Sequence, residues 1–163
     1  MSERVHVGLG SNLGDAGATL DSAIRQLAAL SDTHGVQASP RYLTQPMDAD
    51  GSDFLNAVVQ LHTRLSPHEL LRALQAIEST HGRERPYRHA PRTLDLDLLL
   101  YGELVVQDAT LTVPHPRLHE RAFVLAPLAD LCPDAVVPGL GTVRSLLAGI
   151  EGQRIQRLDS FAP

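Results

Sequence analysis

The sequence predicts an α+β protein. Its elements run βαββαβ, the order of a ferredoxin-like sandwich: an antiparallel four-stranded core sheet with two helices packed on one face, followed by a C-terminal extension. Three observations carry this. Val5-His6-Val7-Gly8-Leu9 and Thr93–Tyr101 alternate with the period of two that a half-buried strand requires. Leu20, Ala23, Ile24, Leu27 and Leu30 recur at helical spacing. Ser66-Pro67-His68-Glu69 has serine, proline and glutamate in the order that opens a helix.

Each element follows in turn. Val5–Leu9 is the first strand, ending in the Gly/Asn-rich stretch Gly8–Gly14, read as a tight connection to a helix over 17–30. A strand is expected over Val36–Thr44, then a loop over Gln45–Asp53, then a strand over Phe54–Thr63. Leu70, Leu71, Leu74 and Ile77 form the apolar face of the second helix, which Gly82 stops. Arg83–Arg92 is an arginine-rich loop leading into the strand Thr93–Tyr101. Leu104–Val106 and Leu111–Val113 are short strand candidates; Arg121–Leu131 and Val143–Leu147 are helices. Residues 1–163 suit one domain.

Composition excludes several functions. The chain is 43% hydrophobic and 20% charged, with no apolar run long enough to span a membrane and no secretory pattern at its start. One cysteine, Cys132, permits no internal disulfide, so a reducing, cytoplasmic compartment is expected. A net charge of −5 argues against a nucleic-acid or anionic-membrane partner. All 14 basic residues are arginine, which excludes a Schiff-base lysine and a P-loop lysine. Gly8-Leu9-Gly10-Ser11-Asn12-Leu13-Gly14 lacks the spacing of a dinucleotide fingerprint.

Chemistry concentrates in two segments. In Arg92-Thr93-Leu94-Asp95-Leu96-Asp97-Leu98, Leu94, Leu96 and Leu98 face one side of the strand, and Asp95 and Asp97 face the other. Two adjacent carboxylates repel unless a cation lies between them, and hard oxygen ligands suit Mg²⁺. Alone, the pair fits a solvated strand face better than a metal site. The loop before it, with Arg83, Arg85, Arg88 and Arg92, shifts the balance toward phosphate. Pro114-His115-Pro116-Arg117, followed by Arg121, is a second phosphate-compatible cluster, or else an ordinary turn before a helix.

Together these blocks resemble the 6-hydroxymethyl-7,8-dihydropterin pyrophosphokinases. The resemblance rests on Arg92–Asp97, Val113-Pro114-His115, Arg121-Ala122-Phe123, Gly8–Gly14 and Phe54-Leu55-Asn56-Ala57, in order along nearly the whole chain. It implies one pyrophosphokinase domain that moves the diphosphate of ATP to the hydroxymethyl group of the pterin, releasing AMP, in folate biosynthesis. It implies that Asp95 and Asp97 bind two Mg²⁺ ions, and that Arg83 and Arg92 serve catalysis. Glu78, Leu98, Thr112, His115 and Arg121 are expected to contact ATP. Thr44, Met47, Phe54, Asn56 and Phe123 are expected to line the pterin slot. Without the resemblance, Phe54 and Phe123 read as ordinary core.

The chain departs from the family at several points. The arginine-rich loop is slightly short, with His89 where a tryptophan is usual. The loop over Pro46–Ser52 is also shortened, and Phe54 stands where tyrosine is common. A cytoplasmic monomer with small-molecule substrates is expected. The alternative reading is another ATP-dependent phosphotransferase on the same fold, which would release ADP in place of AMP.

Overall fold

The computed structural model describes residues 2–12, 15–44, 54–81 and 94–158. The apolar alternation of the N-terminal segment becomes β1 (Glu3–Ser11), an interior strand of the sheet. Val5, Val7 and Leu9 point to one face and are essentially inaccessible to water. Helix α1 (Ala16–Ala28) follows, its N-terminus capped by the Asp15 carboxylate, which accepts from the Ala18 N–H.

The single strand expected over Val36–Thr44 is two strands. β2 (Thr33–Ala38) and β3 (Tyr42–Thr44) are separated at Ser39-Pro40-Arg41, and both pair with β4 (Phe54–Thr63). Proline has no N–H for a ladder, so the break falls where the sequence places Pro40. Helix α2 (Pro67–Thr80) begins with the predicted capping box: Ser66 accepts from the Glu69 N–H, and the Glu69 carboxylate accepts from the Ser66 N–H.

Strand β5 (Asp95–Tyr101) pairs antiparallel with β1. An irregularity in register between His6 and Val7 makes Leu99 an extra residue, so Leu99 and Leu100 both turn to the same face. Two short hairpins follow: β6 (Val106–Gln107) with β7 (Thr112–Val113), then, after α3 (Ala122–Leu131), β8 (Val136–Val137) with β9 (Gly141–Thr142). Helix α4 (Val143–Ala148) and β10 (Ile155–Arg157) complete the chain.

The fold is thus an antiparallel α+β sandwich, but the expected sheet of four strands has six. The order is β10-β3-β4-β1-β5, with β2 also paired to β4. Nor are helices confined to one face. Leu20, Leu27, Leu70, Leu74 and Ile77 of α1 and α2 pack on Val5, Val7, Leu9, Ala57, Val59, Leu61, Leu96 and Leu98. Val124, Leu125 and Leu128 of α3, with Val143 of α4, pack on Val58, Leu99 and Leu100 on the opposite face. Each fully buried leucine contributes about 1.5–3 kcal/mol by leaving water, so both layers hold the sheet. The C-terminal region is therefore a structural layer.

Candidate active site

Strand parity assembles the site. Asp95 and Asp97 project from β5 on the side away from Leu96 and Leu98, which places them on the α3 face. Asp97 is exposed and Asp95 half-buried. Their partners across β1 are Gly10 and Gly8, whose own partners on β4 are Asn56 and Val58. Directly paired residues share a face, so Asn56, Gly10 and Asp95 form one row and Val58, Gly8 and Asp97 the next. Gly8 and Gly10 put no side chain between the aspartates and β4. Gly8 lies inside the strand as read, and Gly10, read only as part of the connection to the helix, lies inside it too. The floor they leave is tight: a Cβ on Gly10 would sit 2.9 Å from Asn56 Oδ1.

Asn56 is 5% exposed, and its Nδ2 donates to Thr44 Oγ1 at 2.9 Å. Phe54 pairs with Thr44 and shares that face. Four residues expected to line the pterin slot, Thr44, Phe54, Asn56 and Phe123, therefore lie on or over the α3 face. Phe123 sits in the first turn of α3, partly buried against its core, with the Arg121 guanidinium carbon 5.5 Å from its ring centre.

The wall beside Asp97 comes from the segment after β7. The His115 N–H donates to the Leu99 carbonyl at 3.0 Å, docking this segment against β5. The Val113–Pro114 peptide is cis. Burial pushes the His115 imidazole below the usual histidine range, the Asp97 carboxylate pulls it back up, and Arg121 and Arg117 push it down again. These four groups share one electrostatic neighbourhood. The Arg117 N–H donates to His115 Nδ1 at 3.2 Å. In the neutral ring that assigns the proton to Nε2, leaving an N–H donor for an anionic oxygen. Thr112 lies on β7, half-buried and paired with Gln107.

Two expected ATP contacts are placed differently. The Leu98 side chain is 4% exposed in the core under α1 and α2, on the opposite face from the aspartates. What Leu98 can offer a ligand is its backbone along the outer edge of β5. Glu78 belongs to α2, yet its carboxylate reaches that same edge and accepts from the Leu96 N–H at 2.8 Å, between the two aspartates in sequence. Met47, Arg83, Arg92 and His89 lie outside the described residues.

Among the described residues, no group of three or more His, Cys, Asp or Glu side chains could hold a metal ion. A pair of carboxylates fits Mg²⁺, which keeps waters and substrate oxygens for its other positions. Sequence reasoning missed Gly8 and Gly10 as site residues, although Val5, Val7 and Leu9 continue the strand period straight through them. Arg117, read as part of the second phosphate-compatible cluster, also contributes its backbone N–H, which donates to the His115 ring.

A carboxylate pair on a strand, with histidine and arginine beside it and a glycine floor next to it, is the arrangement expected of an enzyme that handles polyphosphates. Comparison with known proteins narrows the class. Residues 6–133 match the family model for 7,8-dihydro-6-hydroxymethylpterin-pyrophosphokinase (HPPK), and the chain belongs to that family. It is 44% identical over 157 residues to the 2-amino-4-hydroxy-6-hydroxymethyldihydropteridine pyrophosphokinase of Methylorubrum extorquens, covering 96% of this chain and 99% of the relative. To the enzyme of the same name from Pseudomonas aeruginosa it is 45% identical over 159 residues, covering 97% and 98%. Its fold is similar to that of the Plasmodium falciparum HPPK-DHPS S436F/A437G/A613S triple mutant, with a TM-score of 0.74 at 15% identity. That match covers 91% of this chain but 44% of the solved one. The chain is accordingly a diphosphotransferase of folate biosynthesis, with ATP as its co-substrate.

Proposed function

We propose that the α3 face of the sheet is where the chain transfers the β,γ-diphosphate of ATP to the hydroxymethyl oxygen of 6-hydroxymethyl-7,8-dihydropterin. The observation that carries this is the shared face of Asn56, Gly10 and Asp95, with Asp97 in the next row beside His115 and Arg121. Thr44 and Asn56 present a buried hydrogen-bonding edge to the flat heterocycle. Phe54 and Phe123 offer it ring faces, and Met47 completes the slot. Asp95 and Asp97 would hold Mg²⁺, two ions by resemblance to the family. When bound, the metal neutralises phosphate charge and favours the hydroxyl as nucleophile.

His115, through Nε2–H, and Arg121, through its guanidinium, hold phosphate oxygens of ATP. Thr112 lies toward the ribose. The Leu98 backbone edge and Glu78 flank the nucleotide. Arg83 and Arg92 supply the cationic charge that stabilises diphosphate transfer. The hydroxyl attacks the β-phosphorus in line, the bond from β-phosphorus to the α-β bridging oxygen breaks, and AMP leaves.

We read the core (β2 and β3, then β4, β1, β5) as the ferredoxin-like arrangement with additions, folded as one domain over 1–163. The chain acts as a cytoplasmic monomer on small molecules, without nucleic acid. Among the described residues, no helix is long and apolar enough to cross a membrane. The test incubates the protein with ATP, Mg²⁺ and the pterin and measures AMP. Wild type releases AMP only when the pterin is present, and Asp97→Ala lowers turnover by at least about a hundredfold. Near-normal AMP release by Asp97→Ala would refute the metal assignment.

A further inference from the structure

Helix α3 begins on an unsuitable residue. The first N–H groups of a helix lack intrahelical partners, and Ser, Thr, Asp or Asn at the N-cap normally supplies an acceptor. The N-cap of α3 is Arg121, whose side chain only donates, and it makes no capping bond. Its backbone is extended, at φ −121° and ψ 111°. The missing acceptor comes from far along the chain. Gln153 Oε1 accepts from the Ala122 N–H at 2.8 Å, and Gln153 Nε2 donates to the Glu120 carbonyl at 2.7 Å.

Those two backbone groups belong to the peptide planes on either side of the Arg121 Cα. The relative orientation of these planes is what φ and ψ of Arg121 describe. One side-chain amide therefore fixes the backbone from which the Arg121 guanidinium projects toward Phe123 and His115. The amide orientation follows from its partners, because an N–H needs the oxygen and a carbonyl needs the nitrogen.

The segment carrying Gln153 is anchored in turn. β10 pairs with β3 in the register Ile155–Thr44, Gln156–Leu43 and Arg157–Tyr42, and the Leu158 N–H donates to the Arg41 carbonyl at 2.8 Å. The same strap thus pairs with Thr44, the partner of Asn56, and clamps Arg121. It lies beyond the stretch that the family match covers.

We propose that Gln153 is a positioning residue for diphosphate transfer: by clamping both peptide groups that flank Arg121, it aims the guanidinium at the phosphates of ATP. This rests on the reading of Arg121 as a phosphate contact. The test is steady-state kinetics, with ATP and pterin varied separately, on wild type, Gln153→Ala, Arg121→Ala and the double variant. Urea unfolding of each runs alongside.

Gln153→Ala is expected to raise the KM for ATP about fivefold, the scale of one or two net hydrogen bonds, with kcat within about twofold of wild type. The urea midpoint should fall modestly, as for the loss of one helix cap, with an unchanged slope, because Gln153 itself is exposed but its partner Ala122 is buried. Gln153→Glu keeps the acceptor for Ala122 but loses the donor to Glu120, so its KM should fall between those of wild type and Gln153→Ala. In the Arg121→Ala background, Gln153→Ala should add less than about twofold. That non-additivity marks a residue acting through Arg121, and general loosening of the fold would not produce it. If Arg121→Ala raises the KM for ATP while Gln153→Ala does not, or if the two effects simply multiply, the clamp is refuted. If Arg121→Ala itself leaves that KM unchanged, the phosphate role of Arg121 falls, and the clamp with it.

Discussion

Gly10→Ala tests the geometry of the glycine floor directly. An added Cβ would sit 2.9 Å from Asn56 Oδ1, where ordinary contact begins at 3.4 Å, so one group must move by 0.5 Å. The β1 backbone is held in register on both sides, by β4 and by β5, and cannot retreat. Asn56 must move instead. It is 5% exposed, and its amide already donates to Thr44 at 2.9 Å. A comparable shift would stretch that bond beyond good geometry and strand a buried amide, at a cost of about 1–3 kcal/mol. Replacing glycine within a strand returns about 0.5–1 kcal/mol. The net expectation is a loss centred on about 1 kcal/mol and no more than about 2.5 kcal/mol, or a Tm lowered by roughly 3 °C in a chain of this size. Because Asn56 and Thr44 form the proposed pterin edge, the KM for pterin should rise about tenfold, with a smaller change for ATP.

Gly8→Ala supplies the contrast on the same strand and face. The atoms nearest its Cβ would be Leu99 side-chain atoms, at 3.4–3.6 Å, which is ordinary contact, so its stability should stay within about 1 kcal/mol of wild type. Urea and thermal unfolding of both variants, with pterin kinetics of Gly10→Ala, decide the matter. Were Gly10→Ala as stable as Gly8→Ala and wild type in its pterin KM, the inferred row of Asn56, Gly10 and Asp95 would be wrong.

Two further predictions concern histidines. His6 is 2% exposed, and burial, the dominant cause, holds its pKa at about 4 against the ordinary 6.5. Below pH 6.5 the unfolded chain therefore binds a proton that the folded chain refuses, and stability falls until about pH 4. From pH 6.5 to pH 5 this single group should remove roughly 2 kcal/mol, a slope in urea-derived stability that His6→Gln should abolish; an unchanged slope would refute the assignment. For His115, the Asp97 carboxylate raises a pKa that burial lowers. Asp97→Asn should shift the His115 titration, followed by NMR, to lower pH; no shift would mean that the two groups are not neighbours.

Several elements were legible because their local signals agreed. The capping box of α2 and the alternation of Val5, Val7 and Leu9 appear as read. Other features carried signals that pointed elsewhere. Gly10 looks like a turn in composition, although it is a strand residue like Gly8, and the missing side chains of both make room for the site. The run Leu98-Leu99-Leu100 does not betray that Leu99 and Leu100 turn to one face, because every residue in it is apolar. Helix α3 is buried over Val124–Leu128 with almost no polar side, so nothing local announced which face of the sheet it covers. Leu98 shows the limit of carrying a role from a family to a position: its side chain is core, and only its backbone reaches the edge where Glu78 binds Leu96. Gln153 bonds to groups more than thirty residues away, and no local pattern encodes that.

Local rules of stability fail together at this site. Glycine weakens a strand, yet two occupy the interior strand β1. Adjacent carboxylates repel, yet two share the face of β5. Arginine cannot cap a helix, yet it stands at the N-cap of α3. Each irregularity has its own support: β1 is paired on both edges, the Asp97 face meets His115 and Arg121, and Gln153 supplies the missing cap. Such concentrated departures from local preference, each compensated from a distant part of the chain, are expected where function and not folding has chosen the residues. The same reasoning explains why the C-terminal strap matters. A cap within α3 would stabilise the helix equally well but would remove the arginine, so the acceptor has to come from another segment, and the fold carries β10 and Gln153 to deliver it.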